Sequence, residues 1–259
     1  RMYAQQFEEE LPALWPQGNL QPWENFSWRV ALLPHLEESN RYDQLYRSQL
    51  PLHPENLRAG GVIPVFNCPS AAGYPRQVRM IADKSDLAVG ATDYVAVFDV
   101  TSPTPPLNRS GTWYGAASPD SIASEEDSNM LPNASLRPDV RSAEIRKVPS
   151  RLTRVRDGLS NTVLVVEQAG KPRRETRFAP AQPVEERATE GAWVTSEYAS
   201  FFASGVNQDN HSGPYGYHSG VTVAMCDASV HFWSADMAQE VMVALLSREG
   251  SEIVSDSDW

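Results

Sequence analysis

Tyr217-His218-Ser219-Gly220-Val221-Thr222-Val223-Ala224-Met225-Cys226-Asp227-Ala228-Ser229-Val230-His231-Phe232-Trp233 reads as two short strands joined by a tight turn. Val221, Val223 and Met225 alternate with Thr222, Ala224 and Cys226, the period of two expected of a half-buried strand. Asp227-Ala228-Ser229 suits a turn, and Val230 to Trp233 supplies the return strand. His218 and Asp227 flank the first strand. Any acid–base or ligand role for this stretch would have to rest on them.

Upstream, Val163-Leu164-Val165-Val166-Glu167 is almost unbrokenly apolar, which predicts a central strand covered on both faces. Asp157-Gly158 before it reads as turn chemistry, with Asp closing an Asx-turn and Gly accepting positive φ. Ser160-Asn161-Thr162 then satisfies backbone groups at the strand entrance. Asp93 to Phe98 predicts another strand with alternating side chains, and Gly191 to Thr195 a further one. Val62-Ile63-Pro64-Val65-Phe66 reads as a short strand entering a turn, on an edge because of its proline.

The helical signal is concentrated at the front of the chain. Residues 2–14 have helix-forming composition up to Pro16. Trp23–Tyr46 predicts two helices, or one kinked at Pro34, with Ser39-Asn40 placed to cap the second segment. Beyond the hairpin, Ser234 is placed to cap a helix burying Met237, Val241, Ala244 and Leu245 and ending at Gly250.

Two stretches are poor in apolar anchors: 101–138, rich in proline and serine, and the charged 171–190. Loops of that length usually carry function. The expected organisation is an N-terminal helix or helix remnant over 1–22, one globular domain over 23–250 with these two insertions, and an acidic tail over 251–259.

The 259 residues suffice for a substantial core, and 41% hydrophobic with 21% charged side chains fits a folded protein. Net charge of −11, from 22 basic and 33 acidic side chains, argues against nucleic acid or an anionic membrane as partner. No run approaches the ~18 apolar residues of a membrane span. The chain opens at Arg1-Met2 rather than at a Met, which is the start expected of a trimmed or processed chain. Asn25, Asn108 and Asn133 each open a glycosylation sequon. The two cysteines, Cys68 and Cys226, make neither a disulfide framework nor a zinc pattern; each is a buried thiol, or they form the one intrachain bridge available.

Catalysis finds no motif. Gly-x-Ser-x-Gly, Ser-x-x-Lys, His-Glu-x-x-His and the phosphate-binding glycine loops are absent. Ser160 precedes a strand, whereas an elbow serine follows one. Asp157 and Glu167 form one of many carboxylate pairs the composition offers. Asp209, His211, His218 and Asp227 lie near one another in sequence, but their spacings fit no zinc pattern, so no metal, cofactor or catalytic residue is expected. His218, Asp227, Asp157, Gly158, Asn161 and Glu167 are therefore read as structural.

Four segments together resemble a known family. Ser27-Trp28-Arg29-Val30-Ala31-Leu32-Leu33-Pro34-His35-Leu36-Glu37-Glu38, with Leu45-Tyr46 after it, resembles its W-R-V-x-L-L-P-Y-L-E-Q…L-Y segment. Phe66-Asn67-Cys68-Pro69-Ser70 resembles its F-x-C-P-S. Val155 to Glu167 resembles I-x-D-G-x-S-N-T-x-x-x-x-E, and His218 to Val230 the H-P-G-G-x-N-V-x-F-x-D-G-S-V that marks the group. This is the large pseudopilin-like family of planctomycete-type bacteria, with a prepilin-type helix in front and a C-terminal His-x9-Asp-Gly signature. It is treated as a domain of unknown function and sometimes labelled an extracellular solute-binding or transporter class. Here only eight residues separate His218 from Asp227, Ala228 stands in place of the signature glycine, and the prepilin helix is missing.

The resemblance implies an α+β fold, with N-terminal helical segments packed on a mainly antiparallel sheet, like a pilin-type globular head. It further implies a non-enzymatic extracellular or cell-surface subunit that assembles with itself or with other pseudopilin-like subunits, into a fibre or surface appendage. The expected contact surfaces are the two long insertions. Membrane contact would come only through a helix upstream of this chain. The alternative is a module binding an extracellular solute or glycan through Trp113, Tyr114, Trp193, Tyr198, Tyr215 and Tyr217. A hydrolase is the third reading.

Overall fold

A computed structural model of the chain describes residues 6–248, apart from 8, 15, 17–23, 46, 83–84, 98, 104–105, 111–149, 178–190, 197–199 and 203. The described residues form an α+β fold. The hairpin that opens the sequence argument is present as β8 (Gly220–Met225) and β9 (Val230–Ser234), paired antiparallel. With β3 (Tyr94–Ala96) and β6 (Val163–Glu167) they make a four-stranded antiparallel sheet in the order β3-β6-β8-β9. The apolar strand Val163–Glu167 is thus central, as its composition predicts.

A register shift between Val163 and Val165 in β6 decides which side chains face where. The extra residue breaks strict alternation, so Val163 and Val166 share one face while Leu164 and Val165 share the other. The first face packs with Val95, Val97, Val221, Val223, Met225 and Trp233 under a C-terminal helix. The second carries Ala96 and is covered by Leu11, Leu14, Trp28 and Leu152.

The front of the chain holds α1 (Trp28–Leu32), a 3-10 turn over Leu33–Leu36 containing Pro34, α2 (Ser39–Gln44) and α3 (Pro54–Ala59). The kink at Pro34 is where proline rules place it. These segments pack mainly on a hairpin of β1 (Gln77–Ala82) and β2 (Ser85–Gly90), around a core of Leu33, Leu57, Met80, Val89 and Trp193. The remaining strands are β4 (Asp99–Pro103), β5 (Pro106–Ser110) and β7 (Ser200–Phe202), with β4 antiparallel to β5 and parallel to β7.

Several expectations need correction. The run ending at Phe66 is a 3-10 turn over Pro64–Phe66, because Pro64 fixes the φ of a first helical position. Ser39 and Asn40 lie inside α2, and Glu38 occupies its cap position. Residues 9–14 are not helical; Glu10 instead bridges Arg151, and Leu11 donates to the Ser150 carbonyl at 2.8 Å. Gly191 to Thr195 makes only isolated bridges, at Ala192 and Thr195. The last helix, α4 (Gln239–Leu246), begins after Ser234, whose hydroxyl accepts from the Asp236 amide, and it stops at Ser247. The excursion expected from 101 begins with the β4–β5 hairpin; 111–138, like 178–190 and the tail, lies outside the described residues. No helix among the described residues is long and apolar enough to cross a membrane.

Candidate polar site at the end of the central strand

β6 ends on Glu167, which is 0% exposed. Its Oε2 accepts from the Thr222 amide at 2.9 Å and lies 3.0 Å from His218 Nε2, an ion pair whenever the imidazole is protonated. The antiparallel register of β6 and β8 sets this up, since Val166 pairs with Val223. His218 lies just before β8, and its carbonyl accepts from the Asn207 amide nitrogen at 2.8 Å. Asn207, at positive φ, also accepts from the Gly216 amide at 2.7 Å. Gly216 must be small. A Cβ there would sit 3.1 Å from Glu167 Oε1, 3.0 Å from the His218 ring and 2.6 Å from the Gly220 carbonyl.

Cys68 reaches the same spot from the loop after the 3-10 turn. Asp93, fully buried, fixes that loop: its carboxylate accepts from the Cys68 amide at 2.9 Å, from the Gly170 amide at 3.1 Å and from Arg76. Burial raises the Asp93 carboxyl above its usual range, opposed by Arg76 and by those two amides. Arg76 also donates to the Lys171 carbonyl, and Asn67 ties the Arg76 amide to the Ala91 carbonyl. Arg29, buried in α1, donates to the Tyr94 carbonyl and, at 2.9 Å, to Ser27 Oγ. Each of the four family-like segments therefore sends one residue to this region: Arg29, Cys68, Glu167 and His218.

One donor atom each from Cys68, Glu167 and His218 lies within 4.8 Å of the other two. These are the residues able to hold a cation among the described ones. Burial, and then the Glu167 carboxylate, pushes the Cys68 thiol up to about 12. The free thiol is thus protonated at neutral pH and is no nucleophile. Burial, then Glu167, Cys68 and Asp93, raises the Tyr94 phenol as well.

The other expected site residues scatter. Asp227 lies at the far end of β8 from His218, roughly 20 Å of strand away. Its Oδ1 accepts from the Ser229 amide at 2.8 Å and the Ser229 hydroxyl at 2.7 Å, which closes the β8–β9 turn. Asp157 and Glu167 likewise flank opposite ends of β6. Gly158 has φ 96°, as the turn reading requires, and its carbonyl accepts from the Asn161 amide and the Thr162 hydroxyl. Asp209 caps its own turn through the His211 and Ser212 amides.

The cysteine bridge is corrected. Both cysteines are buried and outside any disulfide; the Cys226 amide donates to the Thr162 carbonyl at one end of β6, whereas Cys68 sits at the Glu167 end. Five strand residues span roughly 13 Å, and a disulfide needs Cα atoms within ~7 Å. The aromatic cleft does not assemble among the described residues either. Trp193 is buried in the helical core and donates to the Gly61 carbonyl at 2.8 Å. Tyr215 and Tyr217 meet edge to face at 5.9 Å, and the Tyr217 hydroxyl donates to Glu175 at 3.0 Å. Trp113, Tyr114 and Tyr198 lie outside the described residues. Sequence reading missed the Cys68–Glu167–His218 group because its members belong to three separate segments; the only signal was that each sits in a family-like motif.

A family model described as a protein of unknown function (DUF1559) matches residues 1–240. No curated protein and no solved structure matches the chain.

Proposed function

We propose, on the premise that the chain belongs to the DUF1559 family of proteins of unknown function, that it is a non-enzymatic extracellular structural subunit, pseudopilin-like, that associates with further copies of itself. The observation that carries this reading is the outer part of the four-stranded sheet. β9 pairs with β8 alone among the described strands. On its open face Val230 and Phe232 are 66% and 52% exposed, next to the half-buried Thr222 and Ala224 of β8. The same face of β3 and β6 is covered by Leu11, Leu14, Trp28 and Leu152, so among the described residues apolar cover stops halfway across the sheet. An edge strand with an apolar face is a template for pairing with another chain. A second copy, offering the same edge in a two-fold arrangement, satisfies both the backbone and the apolar face.

Light scattering across a concentration series, with electron microscopy of the same samples, tests this. Wild-type protein is expected to form concentration-dependent oligomers, and Phe232→Glu to stay monomeric with an unchanged circular dichroism spectrum. A wild-type chain that remains monomeric at its highest soluble concentration, under conditions that permit assembly, overturns the reading. Among the described residues, the candidate aromatics of the solute-binding alternative outside the helical core are Tyr215 and Tyr217, a pair engaged with each other and with Glu175.

A further inference from the structure

The group at the end of β6 has the wrong composition for a purely structural joint. A carboxylate, an imidazole and a thiol are brought together from three segments distant in sequence. Glu167 Oε2 is occupied by the Thr222 amide and His218, yet Glu167 Oε1 is buried with no hydrogen-bond partner. An orphaned buried acceptor costs about 1–3 kcal/mol. Folds seldom retain such an atom unless something else satisfies it.

We propose that Cys68, Glu167 and His218 form a three-ligand site for a thiophilic divalent cation, with Zn2+ the ion that fits best and the fourth position open to solvent. Thiolate, imidazole and carboxylate together suit zinc, whereas a hard cation such as Mg2+ or Ca2+ prefers oxygen donors alone. Charge also balances: one thiolate and one carboxylate neutralise a divalent ion in a buried place, and the neutral imidazole completes the set. Coordination transfers the Cys68 proton to solvent as the sulfur–metal bond forms, so binding one ion releases one proton.

The geometry needs only a modest contraction. Tetrahedral zinc with bonds of about 2.0–2.3 Å holds its donors roughly 3.3–3.7 Å apart. The donors here lie within 4.8 Å of one another, and the His218 Nε2 to Glu167 Oε2 distance is already 3.0 Å. A second layer is in place to orient them. The Asp93 carboxylate holds the Cys68 backbone, Thr222 holds Glu167, and Asn207 holds the His218 carbonyl. The His218 side chain is 27% exposed, which gives the ion a way in and leaves its open position wet.

Titration of the full chain with Zn2+ by calorimetry, after chelator treatment, tests the proposal. The expected result is one equivalent bound with about one proton released, and a melting temperature that rises with the logarithm of free Zn2+ above its dissociation constant. Replacing zinc by Co2+ should give a thiolate-to-cobalt charge-transfer absorption that Cys226→Ser keeps and Cys68→Ser loses. Cys68→Ser and His218→Gln should each weaken Zn2+ binding by at least about 100-fold, at or beyond the upper end of what losing an outer-shell partner does. A wild-type chain that takes up no stoichiometric Zn2+ overturns the proposal, and that measurement does not depend on any variant folding. A cobalt spectrum that survives Cys68→Ser overturns it equally.

Discussion

At the Gly220 end of β8, His218 meets Glu167 from β6, which shares its pocket with Cys68 from beyond the helical segments. At the Met225 end, Asp227 bonds to Ser229 two residues away and closes its own turn. The two residues that define one sequence signature thus do different jobs: the His218 side chain forms a joint with a distant strand, whereas the Asp227 carboxylate clasps its own turn while its amide donates to the Leu159 carbonyl at 3.0 Å. Because they never meet, the distance between them along the chain is not a catalytic spacing. A strand one residue shorter still delivers each to its own end, provided both ends repack.

Breaking the joint should cost far more than breaking the clasp. Asp93→Ala removes the carboxylate that anchors the Cys68 loop and leaves Arg76 buried without it, a loss of about 3–5 kcal/mol. Equilibrium urea unfolding measures it, and a loss below about 1 kcal/mol would show the loop to be held by packing alone. Asp227→Ala removes two local bonds to Ser229 and should cost roughly 0.5–1.5 kcal/mol in the same assay. A cost equal to that of Asp93→Ala would end the distinction between joint and clasp.

The smallest effect has the opposite sign. Ala228 stands at φ 74°, in the left-handed region where a Cβ costs about 1–2 kcal/mol. Glycine relieves that strain but adds chain entropy to the unfolded state. Ala228→Gly should therefore raise stability by about 0.5–1 kcal/mol, visible as a small upward shift in melting temperature. A fall in melting temperature would mean that the Ala228 methyl contributes packing that outweighs its backbone strain.

Much of the sheet is legible from local pattern. Alternation in Val221–Met225, unbroken apolarity in Val163–Val166 and the Asp157-Gly158 turn each act over a few residues, and each appears as read. Where two local signals compete the reading slips. Pro64 turns an apolar run into a 3-10 turn, and Ser234 goes to strand β9 because pairing with Gly220 outweighs its capping preference. Trp193 looked like a binding aromatic and is a core residue, since nothing in its own segment tells which side of the chain the helices will cover.

The sequence by itself determined the strands of the central sheet, the break at Pro34, the turn residues and the family-like segments, because periodicity and turn chemistry depend on neighbours along the chain. Only the tertiary structure decided what those segments are for. The register shift in β6 sets which residues face which core, the β6–β8 pairing sets Glu167 against His218, and Asp93 draws Cys68 onto both. Each is a contact between residues far apart in sequence, whose closure entropy is repaid only once the whole sheet is formed. No window of the chain short enough to read by pattern contains it.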